Sequence, residues 1–140
     1  MIVSELMHSK VNKVHFDDRL ITVKSIFENS KIHYAVVVEE NKIFGVVSDR
    51  DLYMALSPNI GALTETSKDT ATLHKRVHQI ATRNPVVLEL NAPIVAAIGI
   101  FSELPISSIP IVNDEMTPLG ILTARDVFKT ILSLMRREPK

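Results

Sequence analysis

The chain repeats itself, and this restricts it to folds that can be assembled from one unit used twice. Val3, Leu20, Val23, Ile26 and Phe27 recur at one constant spacing as Val77, Ile94, Ala97, Ile100 and Phe101. Gly45-Val46-Val47-Ser48-Asp49-Arg50-Asp51-Leu52 recurs as Gly120-Ile121-Leu122-Thr123-Ala124-Arg125-Asp126-Val127 at a spacing one residue longer. The slip falls between Phe101 and Ile109, and the extra residue is expected in the turn around Glu103-Leu104-Pro105.

Each copy shows the same order of periodicities. Leu20, Val23 and Phe27, like Ile94, Ala97 and Phe101, fall at i, i+3 and i+7, which predicts a helix with one apolar face. Asp17-Asp18 and Asn91-Ala92-Pro93 precede these helices and are expected to start them. Two short apolar runs follow, Tyr34 to Val38 and Ile43 to Val47, separated by Glu39-Glu40-Asn41-Lys42, and this reads as a hairpin. Ile109 to Val112 and Leu119 to Leu122 repeat it. A closing helix is expected over Arg50 to Leu56 and over Arg125 to Met135, and an extended piece before the first helix over Lys10 to Val14 and Pro85 to Leu88. The fold class is therefore mixed α/β (α+β), with two β-α-β-β-α repeats. Repeat one is assigned to residues 1–56, a polar linker to 57–72 and repeat two to 73–137. Asp69 is expected to cap a helix in which Leu73, Val77, Ile80 and Ala81 share a face.

Composition narrows the function. Sixteen basic and sixteen acidic residues cancel, so the footprint of a nucleic-acid binder or an anionic-membrane binder is missing. The chain has no cysteine, which excludes thiol nucleophiles and cysteine-ligated zinc. Met1 to His8 has neither a basic stretch nor an apolar run, so no secretion signal is expected and a cytoplasmic location is the default. No nucleophile-base pair, glycine-rich phosphate loop or paired carboxylates appear, and the chain is not expected to be an enzyme. His74 and His78 stand four apart on an expected helix, but nothing nearby completes a metal set, and no metal is required.

The repeated signature carries the remaining chemistry. Ser48 and Thr123 sit where a strand gives way to a helix, so free backbone N–H groups and the positive helix end favour a phosphate or carboxylate. Asp51 and Asp126 lie one turn further on the same side, where a carboxylate can accept hydrogen bonds from both hydroxyls of a ribose. Arg50 and Arg125 occupy equivalent first-turn positions, from which either reaches a ligand phosphate. The same Ser/Thr-x-x-Asp pattern is also nearly a capping box, which accounts for both copies without a ligand.

This signature, twice present between a hairpin and a helix, resembles the CBS motif, which occurs as tandem pairs (Bateman modules). The resemblance covers nearly the whole chain outside the linker and the last residues. Val3-Ser4-Glu5-Leu6-Met7 followed by Ser48-Asp49-Arg50-Asp51-Leu52 is also similar to stand-alone pairs of the acetoin-utilisation type. The resemblance implies two motifs packed sheet to sheet with pseudo-two-fold symmetry, and a regulatory module that binds AMP, ADP, ATP or S-adenosylmethionine. It implies that Val46 and Ile121 touch the adenine. It pairs Thr123, Arg125 and Asp126 with segments including His8, Lys13, Tyr34 and Ala35, and Ser48, Arg50 and Asp51 with Thr82, Val87, Ser108, Ile109 and Pro110. A homodimer and an unidentified protein partner are expected, the alternative being a ligand-free dimerisation scaffold. Two departures from the family pattern, His33-Tyr34-Ala35 in place of Leu-Pro and the lack of a threonine near His8, favour the Asp51 site over the Asp126 site.

Overall fold

The computed structural model describes residues 1–137; Glu138, Pro139 and Lys140 lie outside the described residues. The chain divides into two compact units that cut across its repeats. One is Asn12–Pro85, and the other joins Met1–Val11 to the chain from Val86 onward.

In the Asn12–Pro85 unit, β1 (Lys13–His15), α1 (Leu20–Ser30), β2 (Tyr34–Glu39), β3 (Lys42–Ser48) and α2 (Asp49–Ala55) follow the order read from the periodicities. β1 pairs parallel with β2, as a strand-helix-strand crossover requires, and β2 pairs antiparallel with β3. The sheet is completed by β4 (Thr82–Arg83), antiparallel to β3. Alternation along the strands puts Val14, Ala35, Val37 and Val47 on one face, where they pack with Leu20, Val23, Phe27, Leu52, Leu56 and Val77. Burying each large aliphatic or aromatic side chain here contributes about 1.5–3 kcal/mol.

The second unit repeats this plan with β5 (Leu88–Glu89), α4 (Ile94–Glu103), β6 (Ser108–Val112), β7 (Pro118–Thr123) and α5 (Ala124–Met135). Its sheet runs β5-β6-β7. At the edge of β7 the place of a fourth strand is held by His8, whose N–H and carbonyl both bond to Ile121, at 2.8 and 2.9 Å. Its core gathers Val3, Ala97, Ile109, Ile111, Leu122 and Val127. Val3 and Val77, equivalent in the repeat, thus each pack with the body of the other repeat.

This exchange explains two differences from the expected helix starts. Arg19 and Pro93 occupy the N-cap positions of α1 and α4, and neither supplies a side-chain cap. Instead the Leu20 N–H donates to the Lys75 carbonyl and the Ile94 N–H to the Met1 carbonyl, so the exchanged segments satisfy donors left open at the helix ends. The helix expected from Asp69 onward is also broken. Thr66 caps a five-residue α3 (Ser67–Ala71), with Asp69 inside its first turn. Thr72–His74 and Val77–Gln79 form separate 3-10 turns. Between them Arg76 bridges to Arg19, and an extended, paired backbone cannot continue a helix.

The strand register also relocates the extra residue. Tyr34 pairs with Ser48 and Ser108 with Thr123, so the two repeats are still in step after Glu103-Leu104-Pro105. They fall out of step in the hairpin turn. The first hairpin closes at Glu39 and Lys42 through Glu40 and Asn41, both at positive φ (50° and 64°). The second passes through Asn113 to Thr117, one residue more before Pro118 pairs with Val112.

The signature glycines are required by close backbone approach. A Cβ on Gly45 would lie 2.4 Å from the Thr82 carbonyl oxygen, and one on Gly120 would lie 2.7 Å from the His8 carbonyl oxygen. Gly45→Ala is expected to lower unfolding stability by roughly 2 kcal/mol through this clash. Gly99→Ala, within α4 and open to space, is expected to raise it by about 0.5–1 kcal/mol. Urea titrations of the two variants check the opposite signs.

The linker carries an acid-sensitive network. Glu65 is held below the ordinary carboxylate range by the hydroxyl of Thr70 and the N–H of Gly61, and Asp69 by the hydroxyl of Ser57 and the N–H of Thr66. Both values are depressed in the folded chain, so the stabilisation is complete above the unfolded values and is lost as pH falls through the folded ones. Amide chemical shifts of residues 57–72 are therefore expected to move toward random-coil positions below roughly pH 4, and to do so near neutrality in Asp69→Asn.

Candidate functional site

The two signatures adopt one geometry. Ser48 ends β3 and caps α2; its Oγ accepts from the Asp51 N–H at 3.1 Å, and Asp51 Oδ2 accepts from the Ser48 N–H at 3.0 Å. Thr123 ends β7 and caps α5 in the same way, at 3.1 and 3.3 Å, and its hydroxyl also donates to Asp126 Oδ2 at 2.7 Å. The capping reading is therefore correct in every atom. Thr66 and Asp69 form the same box outside the repeats, so the pattern by itself does not mark a ligand site.

What distinguishes the signatures is the sheet face beside them. Lys13, Val36, Val46 and Thr82 are register partners across the four strands β1, β2, β3 and β4. They form a row on the face opposite the core. Tyr34 and Ser48 form the next row toward the helix. In the other unit Pro110, Ile121 and His8 are register partners, and Ser108 pairs with Thr123. Val87 immediately precedes β5. The structure thus brings Lys13, Tyr34, Val46, Ser48, Asp51 and Thr82 into one unit, and His8, Ser108, Pro110, Ile121, Thr123 and Asp126 into the other.

Two of the assigned residues turn their side chains into the cores. Ala35 and Ile109 pair with Val47 and Leu122, and all four side chains lie in the cores. The period of two turns them away from Val46, Ser48, Ile121 and Thr123. Val36 was missed. It is the register partner of Val46 and the equivalent of Pro110, a relation concealed by the misplaced extra residue.

Burial pushes the phenol of Tyr34, the register partner of Ser48, far above its ordinary value, so it stays neutral. Arg50 and Arg125 are exposed in the first turns of α2 and α5. Arg83 is engaged elsewhere, its guanidinium 5.0 Å above the ring of Phe44. His74 and His78 stand on separate turns, and among the described residues no group of three or more His, Asp or Glu is placed to hold a metal ion. No described helix is long and apolar enough to cross a membrane.

The sequence pattern of the CBS domain matches this chain twice, over residues 3–58 and 77–133. The chain belongs to the CBS domain family. A CBS domain-containing protein of Dictyostelium discoideum is 26% identical over 141 aligned positions, covering 99% of this chain and 97% of that protein. Among solved structures, a CBS domain pair in complex with 5'-methylthioadenosine and S-adenosyl-L-methionine superposes with a TM-score of 0.76 at 21% identity, covering 96% of this chain and 98% of that one. The complex of CBSX2 with AMP gives 0.78 at 22% identity, covering 96% and 98%; CBSX2 is a CBS-pair protein of Arabidopsis thaliana. Each unit here thus carries a capped signature at the end of its sheet, and the chain has the fold of the solved CBS pairs.

Separating the cap from any binding role is direct. Ser48→Ala and Thr123→Ala are each expected to cost about 1 kcal/mol in chemical unfolding as the helix cap is lost, whereas Ser48→Thr leaves stability within about 0.5 kcal/mol.

Proposed function

We propose that this CBS pair is a regulatory module that binds an adenosyl ligand, AMP, ADP, ATP or S-adenosylmethionine, and acts through a change in conformation or assembly. The observation that carries the reading is the state of Asp51. Its Oδ2 is engaged by the cap, while Oδ1 has no protein partner among the described residues and is available to a ribose hydroxyl. Val46, only partly buried on the face opposite the core, offers an apolar contact for the base, and the Ser48 hydroxyl and the exposed Arg50 are the groups for the phosphate. The solved CBS pairs that hold AMP or S-adenosyl-L-methionine support the ligand class. The Thr123, Arg125 and Asp126 signature is the second site of the same kind.

On this reading the chain is not a catalyst and works in the cytoplasm. Residues 1–56 and 73–137 are its motifs, with 57–72 as the linker. It acts as a homodimer, with a protein partner still to be named and without nucleic acid or membrane. A dimerisation scaffold is the second reading. α5 favours it, since Phe128 and Met135 are 69% and 76% exposed on that helix, a large apolar surface for a solvated one.

Thermal unfolding with AMP, ADP, ATP and S-adenosylmethionine decides between them. A ligand of the native state stabilises by about 2.7 kcal/mol at a hundred times its Kd, so at least one of the four should raise the midpoint by several degrees. In Asp51→Ala the shift should fall to what the Asp126 site alone supplies, and in Asp51→Ala/Asp126→Ala it should disappear, although the starting midpoints are lower. No shift with any of the four at millimolar concentration would leave the scaffold.

A further inference from the structure

The two signatures are not equally open, and the cause is His8. Its backbone is fixed to Ile121 by the paired 2.8 and 2.9 Å hydrogen bonds, in the position that Thr82 holds beside Val46 in the other unit. From there its ring reaches Asp126, with Nε2 at 3.0 Å from Oδ1 and 2.9 Å from Oδ2. An ionised carboxylate only accepts, so Nε2 is the donor. Asp126 already accepts from the Thr123 N–H and hydroxyl, and His8 takes the oxygen that its counterpart Asp51 leaves unused. The Asp126 side chain is 15% exposed, while the His8 side chain is 63% exposed. The ring can therefore rotate into solvent without disturbing the backbone bridge.

We propose that His8 is an internal competitor for the Asp126 carboxylate, which makes the His8–Asp126 unit the weaker of two unequal ligand sites. This rests on the reading of the signatures as ribose sites. A ligand hydroxyl can take Asp126 only after the ring has left. Asp51 has no such competitor, because Thr82 is too short to play this part. The order of filling is thus set by one side chain, Asp51 first and Asp126 second. The difference is modest, since an exposed contact of this kind supplies up to about a fivefold change in an equilibrium.

The test uses the full chain and calorimetric titration with AMP. In an Asp51→Ala background, adding His8→Ala should tighten AMP binding by about two- to fivefold. In an Asp126→Ala background, His8→Ala should leave AMP binding unchanged. Independently, in the ligand-free protein with 15N-labelled histidine, Asp126→Asn should move the His8 ring resonances, and an unmoved Nε2 resonance would overturn the contact. AMP binding that depends on Asp51 with no gain from His8→Ala in the Asp51→Ala background overturns the competitor alone. A loss of affinity there also overturns it, by making His8 a ligand contact. No AMP binding in the wild type or any variant overturns the functional reading together with it.

Discussion

The structure depends on a short backbone contact made twice. Thr82 lies along Val46 and His8 along Ile121, each passing so close over the neighbouring glycine that a single methyl group would collide with a carbonyl oxygen. Each crossing brings a segment from in front of one repeat onto the body of the other. With it come a valine for the core, Val77 or Val3, and a carbonyl for the first N–H of a helix, from Lys75 or Met1. Sheet edge, core and helix cap are therefore supplied together, and they would be lost together.

This contact also shapes the candidate site. Because the crossing segment lies beside the last strand, the side chain it carries next to Ile121, that of His8, reaches the signature carboxylate, while the residue next to Val46 is Thr82. Thr82 and His8 are the two solutions in one chain. The capping boxes hold Ser48, Asp51, Thr123 and Asp126 in place, so their geometry is settled before any ligand arrives. Much of the ordering entropy that a flexible site would lose on binding is already spent in folding.

Much of this was legible in the residues. The apolar faces of α1 and α4, the hairpins and the position of Asp51 and Asp126 follow from period and repetition, because local patterns determine them. Three features escaped for physical reasons. The extra residue could be slid along the sequence, since runs such as Tyr34 to Val38 look alike at every step, and only strand register pins it to the hairpin turn. That error concealed the equivalence of Val36 and Pro110 and, with it, that the side chains of Ala35 and Ile109 face the cores. The caps of α1 and α4 come from carbonyls distant in sequence, a kind of partner that no local motif announces. The contact between His8 and Asp126 belongs to the same class, as it joins residues from opposite ends of the chain.

The exchange has a consequence for the covalent chain. It passes from one unit to the other twice, at Val11–Asn12 and at Pro85–Val86, whereas the exposed stretch from Gly61 to Lys68 lies wholly inside one of them. A protease nick in that stretch would yield two fragments, each with a part in both units. Cutting at the apparent boundary between the repeats would leave the bodies stitched together by their own leading strands.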